Sequence, residues 1–64
     1  MRFNITAISN GKIVFQGTMG YIPRKGEHIE MEGYTYVVEN VIHILKRGMS
    51  YDNNVQLLVK YIGT

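Results

Sequence analysis

The chain has 64 residues and no cysteine, with seven Lys or Arg against five Asp or Glu and a formal charge of +2. At that size it reads as one domain, residues 1–64, burying only about 60% of the surface its unfolded form exposes, with no room for a large enclosed substrate cavity. Disulfides, thiolate metal sites and cysteine nucleophiles are excluded, and so small a charge permits nucleic-acid binding without requiring it.

Residues 2–9 (RFNITAIS) are rich in β-branched and aromatic types and predict a first strand. Asn10-Gly11 tolerates the positive φ angles of a type I′ turn, so Lys12 to Gly17 returns as the second strand. In that register Ser9 faces Lys12, Ile8 faces Ile13 and Ala7 faces Val14. Ile8, Ile13 and Phe15 then share one face, and Phe3, Ile5, Ala7 and Val14 the other. Both faces being apolar, a bulge or barrel curvature is expected part-way, ahead of a covering partner.

Thr18 to Lys25 reads as a loop, because Gly17 and Gly20 loosen it and Pro23 removes a donor. Gly26 closes this corner. Met19, beside Ile22, is expected to fold back as a lid on the barrel end. Glu27 to Glu32 predicts a third strand with Ile29 and Met31 inward and His28, Glu30 and Glu32 outward. Gly33 turns it, at positive φ. Tyr34 to Leu45 is the longest strand; its period of two slips at Glu39-Asn40, which predicts a second bulge. The adjacent β-branched residues argue against a helix there. Lys46 to Asn54 reads as a polar loop, and Val55 to Ile62 as the last strand, with Val55, Leu57, Val59 and Tyr61 on one face.

Five short strands with tight turns and no helix predict an all-β fold: a five-stranded small antiparallel barrel, SH3-like, with an OB-like barrel or small sandwich as the alternative. The residues Pro23, Gly26, Glu27, Ile29, Gly33, Tyr36, Val38, Val41 and His43 form a Pro-x-x-Gly-Glu corner, an Ile strand, a Gly turn and a Tyr-x-Val-x-x-Val-x-His run. This stretch, the middle third of the chain, resembles a pattern of small phage and prophage proteins. The resemblance implies a phage-type SH3-like barrel and carries over no functional residues.

No segment is apolar for long enough to span a bilayer, since His43 and Lys46 interrupt the run around Val41 and Ile42. With no secretory leader after Arg2, a cytoplasmic protein is expected. His28 and His43 with the neighbouring glutamates do not match a metal-site spacing, so no metal or cofactor is expected; His28 reads as solvated and His43 as half-buried. Asp52 and the glutamates lack a nucleophile elbow or phosphate loop, so no enzyme and no small-molecule substrate are expected.

Two constellations are left. Tyr21, Tyr34 and Tyr51 with the acidic residues Glu30 and Glu32 are the candidate protein-binding residues, for another protein or for self-association through an edge strand. The ordinary reading of the acids, a solvated face that blunts a sheet edge, leads narrowly. Arg24, Lys25, Lys46 and Arg47 near tyrosines are the alternative, a rim that holds a nucleic acid; a solvated loop ranks first and a protein contact second.

Overall fold

The computed structural model describes residues 2–44 and 54–63, which form one five-stranded sheet curled into a half-barrel. The strands are β1 (Phe3–Ser9), β2 (Lys12–Met19), β3 (His28–Met31), β4 (Tyr34–Ile44) and β5 (Asn54–Gly63). Their order across the sheet is β2-β1-β5-β4-β3, which puts β2 and β3 at its edges. The second strand continues two residues beyond the predicted Gly17, with Met19 paired to Phe3. The expected Leu45, Lys46, Arg47, Tyr51 and Asp52 features lie outside the described residues.

The sheet is mixed, where the sequence predicts an antiparallel one. β1 and β5 run parallel, from Asn4 beside Asn54 to Ile8 beside Leu58, while the other three ladders are antiparallel. Each antiparallel pair is joined by its own connection, and two of these are tight turns that the sequence announces. β1 and β5 have the rest of the chain between them, and no local turn sets their relative direction.

β5 is the central strand, and its period of two buries Val55, Leu57 and Val59 in succession. Ile5 and Ala7 of β1 lie beside Val55 and Leu57, and Val38 of β4 beside Val59; these six make the buried core on the concave face. Burying one such side chain contributes about 1.5–3 kcal/mol. The segment from Gly20 to Glu27 must cross from one edge of the sheet to the other. Along it Ile22 packs against the core and Pro23 is among the largest fully buried side chains. Met19 also packs on the core, from the end of β2.

Both predicted bulges are present. The β1–β2 register passes from Ala7 beside Phe15 to Ile8 beside Ile13, leaving Val14 as the extra residue. This corrects the expected facing: Phe15 turns to the concave side with Ala7, and both Val14 and Phe15 pack on the core. The Phe15 ring lies over Gly17, where a Cβ would stand 3.0 Å from the ring. In β4 the register passes from Val38 beside Val59 to Asn40 beside Leu58, with Glu39 extra. Asn40 Oδ1 accepts the Val41 N–H at 3.0 Å, and Val41 returns to the core side opposite Leu57. His43 is exposed rather than half-buried. It lies opposite Val55, on the part of β4 that the pairing with β3 does not reach.

Candidate interaction surface

The β3–β4 hairpin closes on Glu32 at φ 52° and Gly33 at φ 86°, with Met31 paired to Tyr34. Two successive positive φ angles make a type I′ turn, which follows the twist of its strands. Alternation along β3 then half-buries Ile29 and Met31 and exposes His28 and Glu30, as the sequence predicts. The outer edge of β3 pairs with no other strand of the sheet.

The entry to β3 is fixed by a second turn. The Glu27 N–H donates to the Arg24 carbonyl at 3.0 Å, and Gly26, third in this turn, has φ 92°. A glycine at positive φ in that position is the signature of a type II turn. The Gly26 N–H donates to the Val38 carbonyl at 2.8 Å, and the Val38 N–H to the Glu27 carbonyl at 2.9 Å. Glu27 Oε1 accepts the Arg24 backbone N–H, so this carboxylate is tied into its own corner.

At the closed end of the hairpin three tyrosines converge. The Tyr61 ring meets Tyr34 at 5.9 Å and 62°, and Tyr36 at 5.8 Å and 67°, both edge-to-face. Such pairs contribute about 0.5–1.5 kcal/mol beyond the area they bury. Tyr36 lies opposite Tyr61 in the ladder and is half-buried, whereas Tyr34 is 49% and Tyr61 48% exposed. The cluster therefore holds its rings in place and still presents about half of two of them to solvent.

Of the predicted protein-binding residues, Glu30, Glu32 and Tyr34 come together on this one hairpin. Tyr21 stands on the crossing segment and is 61% exposed, and Tyr51 lies outside the described residues. Arg24 and Lys25 are exposed on the type II turn, and Lys46 and Arg47 lie outside the described residues. Tyr36 and Tyr61 are the members that sequence reasoning missed. Each carried the right facing in its own strand, but their meeting depends on the β4–β5 register.

Among the described residues no three His, Asp or Glu are grouped to hold a metal ion. No helix among them is long and apolar enough to cross a membrane. No family model, curated protein or solved structure matches the chain, so the functional reading rests on this geometry.

Proposed function

We propose that the chain is a small non-catalytic protein-interaction module, phage-type and cytoplasmic, that serves as inhibitor or adaptor of another protein. In this reading the curled sheet is an SH3-like barrel left open between β2 and β3, with the segment 20–27 filling the concave side. The observation that carries the proposal is the half-exposed Tyr34–Tyr61 pair at the end of an edge hairpin. Tyrosine supplies a large amphipathic contact at low conformational cost. A free strand edge supplies main-chain hydrogen bonds to an added strand, with alternate side chains for specificity. Glu30 and Glu32 beside it favour a partner with basic residues flanking that strand.

A nucleic acid is the second reading, favoured by the exposed Arg24, Lys25 and Tyr21 on one segment. It ranks second because an exposed basic pair on a turn is commonplace, whereas the tyrosine pair stands at the end of an edge hairpin.

The test is capture from a lysate of the native host, with and without nuclease, using the wild-type chain and Tyr34→Ala/Tyr61→Ala. One protein retained after nuclease by the wild type, and lost by the double variant, is expected. Capture abolished by nuclease or moderate salt would replace this reading with the nucleic-acid one, since phosphate contacts are strongly salt-dependent.

A further inference from the structure

The central strand β5 is longer than one of its two neighbours. Its parallel ladder with β1 ends at Ile8 beside Leu58, because β1 stops at Ser9 and turns back through Asn10 and Gly11. β5 runs on to Gly63 with β4 still beside it, Lys60 opposite Val37 and Tyr61 opposite Tyr36. From Val59 onward the strand therefore has one side that no other strand of the sheet covers. At the rise of a strand, Val59 to Gly63 make about 16 Å of open edge.

The phase of the hydrogen bonds decides which main-chain groups face that side. Val38 is turned to the entry of β3: its carbonyl accepts the Gly26 N–H, and its N–H donates to the Glu27 carbonyl. Along a strand in an antiparallel ladder, successive residues point their N–H and C=O to alternate sides. Val37 is therefore turned to β5, where it pairs with Lys60. The main chain of Lys60 faces β4, and those of Val59 and Tyr61 face away from it. A parallel ladder that ends at Ile8 and Leu58 reaches at most the Val59 N–H. The Val59 carbonyl and both main-chain groups of Tyr61 are left on the open side.

A hollow of about 610 Å³ lies along this step, a size that suits a small ligand, for which about 300–1,000 Å³ is usual. The half-buried Ile8 and Leu58 give it apolar lining, and Val59 and Tyr61 line it from the open edge. Two exposed charges of opposite sign also line it: Lys60, and Glu39, the extra residue of the β4 bulge. We propose that this notch binds a short extended segment of another protein, laid along β5 in the line that β1 vacates. A carbonyl, an N–H and a second carbonyl in succession on one strand edge match the main chain of an added strand. Ile8 and Leu58 receive an apolar side chain of that segment. Lys60 and Glu39 favour one acidic and one basic residue in it, because charge-assisted hydrogen bonds are about twice as strong as neutral ones. The site is distinct from the hairpin surface proposed above, since neither Tyr34 nor any residue of β3 lines the hollow.

Titration of the isotope-labelled full chain, followed by amide NMR shifts, tests this. The probes are two capped pentapeptides, Lys-Val-Thr-Val-Glu and the charge-reversed Glu-Val-Thr-Val-Lys. At least one is expected to bind by millimolar concentration, with saturating shifts at Ile8, Gly11 and Val59 to Ile62 and none at His28 to Met31. Lys60→Glu should weaken that peptide about tenfold, and Tyr34→Ala should leave its affinity unchanged. The same peptide N-methylated at every amide should not bind. The proposal is overturned if neither peptide moves these amides, or if Lys60→Glu leaves the affinity unchanged. Binding of the N-methylated peptide as tightly as its parent overturns it too, since the hollow would then have no use for a strand. Shifts centred on His28 to Met31 would overturn it in favour of strand addition at the β3 edge.

Discussion

The β1–β2 hairpin closes on Asn10 at φ 51° and Gly11 at φ 75°, and the β3–β4 hairpin on Glu32 at φ 52° and Gly33 at φ 86°. The two turns share a backbone, yet the hairpins differ in every other respect. The first is bulged at Val14, lies against β5 along a parallel ladder, buries Ile5 and Ala7, and turns an uncharged face outward. The second is regular between β3 and β4, is attached through β4 alone, half-buries Ile29 and Met31, and carries acids and tyrosines. Turn geometry fixes register, and attachment decides what a hairpin is for. The one inserted in the sheet supports the core, and the one at the edge is free to meet a partner.

The largest expected effect separates the two by burial. Ile5→Ala removes a side chain from a closed site and is expected to cost about 3 kcal/mol, transfer and cavity together. Ile29→Ala, at a half-buried position on the edge, should cost about 1 kcal/mol. Stability is marginal at this size, so Ile5→Ala should be largely unfolded at 37 °C and Ile29→Ala should not. Urea denaturation measures both. Equal losses would mean that β3 is as deeply built into the core as β1.

The next effect tests attachment. A Cβ at Gly11 or Gly33 meets nothing within 4 Å, so a side chain there costs only backbone strain. A β-branched residue at positive φ is strained by about 2 kcal/mol. In Gly11→Val that strain is expected to lower the melting temperature of the whole chain, because β1 cannot leave without opening the β5 ladder. In Gly33→Val the expected result is local. The amides of His28–Met31 should exchange faster while those of β1 and β5 keep their protection. Global melting by both variants to the same extent would show that β3 is not a separable edge.

A smaller effect concerns the tyrosines. A double-mutant cycle on Tyr34→Phe and Tyr61→Phe leaves the rings in place, whereas one on Tyr34→Ala and Tyr61→Ala removes them. Coupling of about 1 kcal/mol is expected in the alanine cycle. The phenylalanine cycle should show almost none, because the edge-to-face contact belongs to the rings. Coupling as large in the phenylalanine cycle as in the alanine cycle would mean that the hydroxyls hold the cluster together.

These comparisons also mark what the sequence discloses. Asn10-Gly11 names its turn because few other residue pairs accept two positive φ angles. The slip at Glu39 shows as a break in a period of two, and the one in the first hairpin as apolar residues on both faces. Local pattern carries both kinds of information. It does not carry the β1–β5 ladder, whose partners stand fifty residues apart at Asn4 and Asn54 and are joined there by an amide-to-amide hydrogen bond of 3.0 Å. The facing of Phe15 differs from the expected one because the position of a bulge decides the side, and the sequence predicts the bulge without placing it at Val14. The Tyr36–Tyr61 contact was hidden for a related reason. It lies beside an irregularity in which Thr35 meets Gly63 and Tyr36 meets Tyr61, an offset that shows only once the strands are paired.

The smallest effect should be a gain. Glu32 is, with Asn10, one of the two non-glycine described residues at positive φ. Asparagine accepts this conformation by bonding locally, while a glutamate has no such compensation. Glu32→Asn copies the first turn into the second, and is expected to raise stability by about 0.5 kcal/mol. The gain should appear as slower amide exchange in His28–Met31 more than as a higher melting temperature, since β3 is the part that the turn holds. The same change removes a carboxylate from the proposed partner surface. A variant that is more protected at β3 yet captures less partner would show that the glutamate is kept at a strained position for binding. Unchanged capture would leave Tyr34 and Tyr61 as the contact and reduce the acids to guards of the edge.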